Sequence, residues 1–460
     1  MADGVYQILP EKPVETLEAY VAQGGGEGLE NALAMTPDDI VAEIRAAGLR
    51  GRGGAGFPTG IKWRGVRDAG MADGRCYVVC NAAEGEPGTY KDRPLMERNP
   101  YQILEGMLIC LYTTAAAHAY IATKERFTEA YRRLIEARDE MMAAGWEGAE
   151  HLTVVPGPDT YLFGEEKALL EVIEGKLSMP RLVPPFQVGL FATTTQPNPA
   201  VVNNAETFSH ATQIIAKGAD WFRTEGTEET PGTFLFAICQ DVPNQGVYEL
   251  PMGTSLRTLV CDIGGADPDD VKAIWSGVSN PVMTPDLLDL PLDFNSMAEA
   301  GFGLGSGGYA VYGQHRDMVQ VTQQLERFLA IESCGQCNAC KTGNIFMAER
   351  LWQLVQGEGT RADIDALMHR TEIVTDQNRC YLPVGAAFVV RSAIETFPEE
   401  FHGRVGAGPV PEEIRVLAPK IIDWDEDEGV LVFDPEYYRK RPDWTYAAPE
   451  AVEVPGELLP

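Results

Sequence analysis

Glu332-Ser333-Cys334-Gly335-Gln336-Cys337-Asn338-Ala339-Cys340-Lys341-Thr342-Gly343 spaces three cysteines three residues apart, and a fourth, Cys380, stands far downstream. Three thiolates on a tight turn, closed by a distant fourth, can hold one cubane iron–sulfur cluster. Structural zinc sites draw their thiols as separated pairs, so the triple run favours iron and sulfide over zinc. A bacterial two-cluster ferredoxin places its fourth cysteine almost at once, to serve a second cluster. Here one [4Fe–4S] cluster is expected, with Cys334, Cys337, Cys340 and Cys380 as metal ligands. Around this stretch the pattern is helical, over residues 319–331, 344–356, 362–371 and 386–396. The cysteines fall at the ends of these segments, as in a helical bundle that clasps a cluster and shields it from water.

The whole chain sets the bounds. Its 460 residues, 45% of them hydrophobic, are enough for about two to four domains with ordinary cores. A net charge of −31 argues against nucleic acid, whose binding depends on clustered cations. The five cysteines outside the cluster set, Cys76, Cys80, Cys110, Cys239 and Cys261, sit in apolar or strand-like runs and read as buried thiols. A reducing cytoplasm is the expected location, peripheral to a membrane complex at most. No charged-then-apolar leader is visible, and the longest apolar run, residues 107–112, is too short to span a bilayer, so no membrane insertion is expected.

From the amino end, residues 1–35 carry the run Gly24–Gly26 and read as an irregular arm. Thr36, Pro37 and Asp39 then signal a capped helix, ended by Gly48. The glycine-rich run from Gly48 to Trp63 exposes backbone N–H groups to an anion, and Arg50, Arg52 and Lys62 add positive charge. Gly51, Gly53 and Gly56 match G-x-G-x-x-G, but a helix rather than a strand precedes them. A second match, Gly303, Gly305 and Gly308, reads as a turn. The β-rich run 75–80 delivers Asn81-Ala82-Ala83-Glu84-Gly85-Glu86-Pro87-Gly88 at its carboxyl end, where open α/β sheets bind ligands. Strand-like and helical segments then alternate to about residue 174, implying a parallel, doubly wound sheet. Glu165 and Glu166 open a helix, where acids also serve structure alone. A long Pro- and Thr-rich loop, 180–199, leads into Asn203-Asn204-Ala205-Glu206-Thr207. From residue 233 short strands suggest a β-grasp-like module. The residues from 406 on are Pro-rich, with an acid run at 423–428, and read as an extended tail.

Together these stretches resemble the flavin- and NADH-binding (51-kDa or F) subunit of respiratory complex I and the diaphorase subunits of NAD-linked hydrogenases and formate dehydrogenases. The resemblance runs from about residue 36 to about 405. It rests on Gly48 to Trp63, Asn81 to Arg93, Tyr161 to Glu166, Pro184 to Phe186, Asn203 to Thr207 and the cysteine block with Cys380. It implies an α/β chain in five parts: an arm (1–35), a Rossmann-like FMN-binding domain (36–222), a β-grasp (SLBB-like) domain (223–315), a C-terminal iron–sulfur helical bundle (316–405) and an acidic tail (406–460). It implies FMN at Gly51, Gly53, Gly54, Lys62, Asn81, Tyr161, Gly164, Asn203, Asn204 and Thr207, and NAD(H) near Phe57, Glu86, Glu166 and Phe186. The site expected on these grounds adds Arg52, Glu84 and Glu165 to the cofactor contacts and makes Glu86 and Glu166 the catalytic pair. The implied partners are a thioredoxin-like [2Fe–2S] subunit and a larger iron–sulfur or catalytic subunit.

Such a chain is expected to move electrons from NADH through FMN to its cluster and on to partner iron–sulfur subunits. Three positions depart from the family's usual pattern: Ala83 replaces an acid, Val183 replaces the lysine before Pro-Pro-Phe, and Arg64-Gly65 replaces an aromatic after Trp63. All three surround the nucleotide pocket. They leave open an alternative, an FMN and [4Fe–4S] subunit that uses NADPH or no pyridine nucleotide.

Overall fold

The computed structural model describes residues 7–73, 75–411, 420–426 and 428–448. Its first sheet has four parallel strands, β1 (Tyr77–Ala82), β2 (His118–Lys124), β3 (Leu152–Gly157) and β4 (Ala200–Asn204), in the order β3-β2-β1-β4. Both faces of β1 are apolar, which is what a strand covered on both sides requires. Val78, Cys80 and Ala82 pack with Ile103, Met107 and Phe208 of the helices Pro100–Thr114 and Ala205–Lys217. Tyr77 and Val79 pack with Leu169 and Leu170 of the helix Glu166–Ile173. The chain leaves β1 toward β2 and β3 on one side and returns to β4 on the other. The crevice beyond the carboxyl ends of β1 and β4 is therefore the switch point at which such sheets bind ligands.

A second sheet, of β5 (Thr233–Gln240), β6 (Gly246–Pro251), β7 (Val271–Ser276) and β8 (Gly308–Gly313), runs in the order β6-β5-β8-β7, with the central pair parallel and both outer pairs antiparallel. Between β6 and β7 the chain makes a π-helical turn, Thr258–Ile263. Beyond this sheet lie the helices Met318–Glu332, Asn338–Val355, Arg361–Ile373 and Leu382–Thr396.

Two expectations fail. The stretch read as an irregular arm is, within its described residues, two short helices, Leu17–Ala22 and Glu27–Ala34. The buried Glu105 holds them, accepting from the Tyr20 hydroxyl at 2.7 Å and from the Gly26 and Leu29 amides at 2.9 Å each. Gly26 sits at φ 95° and forms the start of the second helix rather than a floppy spacer. The tail is not extended either. Residues 421–425 and 430–433 form an antiparallel hairpin, β9 (Ile421–Asp425) and β10 (Val430–Phe433). The acid run, which sequence alone makes a solvated segment, contributes its first residues to β9, where Trp424 and Ile421 supply the apolar contacts. Residues 412–419, 427 and 449–460 of the tail lie outside the described residues.

Candidate cofactor site

The glycine loop folds back at the switch point. The Gly51 amide donates to the Phe57 carbonyl at 2.9 Å, and the Arg52 amide donates to the Thr207 hydroxyl at 2.9 Å, which ties the loop to the start of the helix Ala205–Lys217. A Cβ at Gly53 would lie 3.2 Å from the Asn204 Cβ, and one at Gly54 would meet Gly305, the turn of the second G-x-G-x-x-G match. The loop thus lies between two helix N-termini, that of Ala205–Lys217 and that of Thr59–Asp73, both favourable to an anion. Lys62, on the second of these, donates to the Val202 carbonyl at 2.8 Å. Burial lowers its pKa and the nearby Glu166 raises it. The Thr59 hydroxyl at that helix start is buried without a partner among the described residues. These groups fit the single phosphate and flat ring of FMN.

Two candidate ligands are otherwise engaged. The guanidinium of Arg52 does not face the loop. It is buried, donates to the carbonyls of Pro231 (3.1 Å) and Arg50 (3.3 Å), and lies 5.6 Å from the Phe234 ring centre. Burial brings its pKa down to about 10. Only its backbone belongs to the loop, so the expected side-chain contact is corrected. Glu84 likewise turns inward, accepting from the amides of Lys91 (2.7 Å) and Asp92 (3.1 Å) and pairing with Arg93 at 3.2 Å. Asn204 caps its helix by accepting from the Glu206 amide, accepts from Lys91 and donates to Asp92 at 2.6 Å. Asn203 accepts from the buried indole of Trp63 at 3.3 Å. Glu165 caps the helix Glu166–Ile173, accepting from the Lys167 and Ala168 amides, the structural role its position also allowed.

The loop after β1 and the turn Tyr161–Gly164 meet across the crevice. Asn81 donates to the Gly164 carbonyl at 2.7 Å, and a Cβ at Gly164 would lie 2.9 Å from the Ala83 carbonyl. The Tyr161 hydroxyl donates to Glu86 at 2.5 Å, and the Val278 amide donates to the other Glu86 oxygen at 2.8 Å. Burial pushes the Glu86 carboxyl up, and these hydrogen bonds pull it down. Phe57 and Phe186 stand 49% and 56% exposed, leaving two aromatic faces open to a planar ligand.

The same turn reaches the thiols. Leu162 lines a hollow together with Cys334, Cys337, Cys340 and Cys380. Cys337 is the N-cap of the helix Asn338–Val355, Cys340 lies in its first turn, and Cys380 stands just before the helix Leu382–Thr396. Two positive helix ends therefore face sulfurs that must ionise to bind metal. Asn344 donates to the Cys340 sulfur at 3.4 Å. Burial first, then the neighbouring thiols, pushes Cys340 up, and burial raises Cys380 to about 12. No three such side chains among the described residues converge on one point as a lone ion requires. The thiols surround a space instead, which suits a polynuclear cluster.

Sequence reasoning assigned no role to Glu332, although it opens the cysteine block. Its buried carboxylate accepts from the Tyr161 amide (2.9 Å), the Tyr437 hydroxyl (3.2 Å) and Lys440 (3.1 Å), so it joins the flavin-side turn, the cluster loop and the C-terminal segment. Nothing short of the fold brings those three stretches together.

A glycine-loop crevice and a four-thiol hollow sharing one turn define a flavin- and iron–sulfur-binding electron-transfer protein. Residues 44–213 match the family described as the Nuo51 FMN-binding domain, and residues 320–404 match the NADH-ubiquinone oxidoreductase-F iron–sulfur binding region. The F subunit of the Streptomyces coelicolor NADH-quinone oxidoreductase is 38% identical over 403 residues, 85% of this chain and 88% of that protein. The HndC subunit of the NADP-reducing hydrogenase of Solidesulfovibrio fructosivorans is 36% identical, over 87% of this chain and 83% of its own. A crystal structure of an NAD+-reducing [NiFe]-hydrogenase in the H2-reduced state superposes with a TM-score of 0.74 at 32% identity, covering 86% of this chain and 66% of that one. The chain belongs to the F-subunit family of NADH-quinone oxidoreductases. It is a flavin- and iron–sulfur-dependent oxidoreductase subunit for electron transfer among NADH, FMN and a [4Fe–4S] cluster. No helix among the described residues is long and apolar enough to cross a membrane.

Proposed function

We propose that the chain is the electron-entry subunit of a multisubunit complex, taking electrons from NADH at the Phe57–Phe186 mouth and passing them to partner iron–sulfur subunits. Bound FMN supplies the chemistry that converts a two-electron hydride donor into single electrons for a cluster. The chain's residues bind and orient. The amides of Gly53 and Gly54, two helix N-termini and Lys62 would hold the phosphate, and Asn81 with the Tyr161–Gly164 turn would shape the ring site. Glu86 and Glu166 flank the nicotinamide. Cys334, Cys337, Cys340 and Cys380 hold the cluster. The strand order of the second sheet, two hairpin pairs joined through a parallel centre, supports a β-grasp module. The observation behind this reading is the turn Tyr161–Gly164, which touches Glu86 through Tyr161 and the thiol hollow through Leu162. Partner subunits of the [2Fe–2S] and larger iron–sulfur kinds would accept the electrons. The test is anaerobic titration of the purified protein with NADH, which should bleach the flavin band and then reduce the cluster. An unchanged spectrum refutes the reading.

A second reading, a flavin and cluster subunit that uses no pyridine nucleotide, draws on Val183, which leaves the mouth beside Phe186 without a lysine to meet a nucleotide phosphate. The other two departures weigh less. Ala83 is buried in the small apolar cluster, and the space beside Gly65 is open surface. Saturable binding of a nucleotide, measured by calorimetry, separates the two.

A further inference from the structure

Each nicotinamide oxidised through this chain obliges one proton to leave the site. The donor gives up a hydride, that is, one proton and two electrons, and an iron–sulfur cluster accepts electrons alone. The proton needs a base beside the reacting ring and a way to water. One hollow supplies both. It lies between the loop after β1, the end of β2 and the start of β9, and is lined by Glu86, Lys124, Arg126, Asp159 and Lys420 among others. Glu86 therefore belongs to two places, bound to Tyr161 in the cofactor crevice and exposed to this hollow. Lys124 ends β2 as a buried side chain whose amine pairs with Asp159 at 3.3 Å. The same amine lies 2.6 Å from where a Cβ on Gly85 would stand, so it sits directly against the residue next to Glu86. Such a polar hollow, lined by both groups, has room for on the order of one water.

We propose that Glu86 and Lys124 form the proton exit of this site. The Lys124 ammonium, paired with ionised Asp159, first gives a proton to water where the hollow opens beside the 40% exposed Arg126, breaking an N–H bond. The Glu86 carboxylate would take the proton that bound flavin gives up from an N–H bond, forming an O–H bond. That O–H bond then breaks as the Lys124 amine takes the proton and the ammonium is restored. The inference rests on the reading that places the nicotinamide beside Glu86.

Among the other groups facing the hollow, Lys420 is tied to Asp159 at 2.8 Å. Arg93 and Arg126 do not lose protons, and Glu84 is locked onto Arg93 and two amides. Burial works against an ionised Asp159, but Lys124, Lys420 and Arg126 hold it far below the usual carboxylate range, so it anchors Lys124 and stays charged. Burial pushes Glu86 up and brings Lys124 down to about 8, with Asp159 opposing and Glu332 and Arg93 within electrostatic reach. The two shifts run toward each other, Glu86 upward and Lys124 downward, as proton transfer between them favours.

The experiment follows the holo-protein by stopped flow, reading the flavin band and a pH-indicator dye together. Lys124→Met should slow dye-reported proton release about 10²-fold, the lower end for a positioned proton-transfer group. Lys124→Arg keeps the charge beside Asp159 but cannot release a proton, and the same slowing there separates a relay from a structural tie. Independently of turnover, acylation of Lys124 across pH, read by peptide mass spectrometry, should titrate near 8 rather than at lysine's ordinary 10.5. Wild-type proton release in Lys124→Arg, or titration at the ordinary value, overturns the relay while leaving the electron-entry reading intact. Failure of NADH to bleach the wild-type flavin overturns both.

Discussion

Glu84 separates the two ways of reading this loop, because sequence resemblance makes it a cofactor contact and the fold makes it a strut. Its carboxylate accepts from the Lys91 and Asp92 amides and pairs with Arg93 at 3.2 Å, where the two side chains are 2% and 4% exposed. Glu84→Ala strands a buried guanidinium and two buried amides. Removing one partner of such a pair costs about 3–5 kcal/mol. For a domain of this size that is roughly 10 °C in melting temperature. Glu84→Gln keeps an acceptor and loses only the charge, so its cost is about half. The assay is thermal unfolding by circular dichroism on flavin-free and flavin-saturated protein. A strut weakens both forms alike. If flavin-free Glu84→Ala melts with the wild type and only flavin affinity falls, Glu84 is a cofactor ligand and the structural reading is wrong.

Three further outcomes are expected. Cys380→Ser should strip the cluster and leave FMN bound, and unchanged iron content and EPR spectrum would show that this thiol is not a ligand. Tyr161→Phe removes a hydrogen bond that holds the Glu86 carboxyl down, so its pKa rises further. A hydrogen bond to a charged group is worth about 1.5–3 kcal/mol, so the acid limb of NADH-dependent flavin reduction should move up by roughly one to two pH units. A fixed limb would refute the contact. Burial lowers His210 to about 4 from its ordinary 6.5. The unfolded chain therefore takes up a proton first as pH falls, so stability is full above about pH 6.5 and drops by about 3 kcal/mol toward pH 4. His210→Leu should flatten that part of a urea-denaturation profile, and an unaltered slope would exclude His210 as its source.

What sequence could read was periodic or spaced. Val78, Cys80 and Ala82 alternate with Tyr77 and Val79, and three thiols at fixed spacing admit few geometries, so the parallel sheet and the gathering of the thiols were legible. What failed depended on distant partners. Gly24 to Gly26 looked like part of an irregular arm because the acid that orders it, Glu105, lies on a helix much later in the chain. Arg52 looked like a phosphate ligand because nothing local shows that Pro231 and Phe234 would cover it. The tail looked extended because its acids dominate its composition, while the groups that fix it, Arg93 and Arg126, are contributed by the first sheet's domain.

Glu332 shows why the flavin-side crevice and the thiol hollow behave as one site. Its three donors come from Tyr161, Tyr437 and Lys440, and the cluster loop begins one residue later. A carboxylate held this way in a buried setting cannot shift without leaving amide, hydroxyl and ammonium unpaired. The separation between the turn Tyr161–Gly164 and Cys334 is therefore fixed by hydrogen bonds inside the chain, not by a partner protein. Electron transfer weakens steeply with distance, so a spacing set internally keeps the entry rate the same in whichever complex the chain docks. The C-terminal segment completes this fixture. Arg327 donates to the carbonyls of Tyr437, Tyr438 and Lys440, and the Lys341 amine lies 4.6 Å from the Trp444 ring centre, so the segment clamps the cluster loop from outside while Glu332 holds it from within.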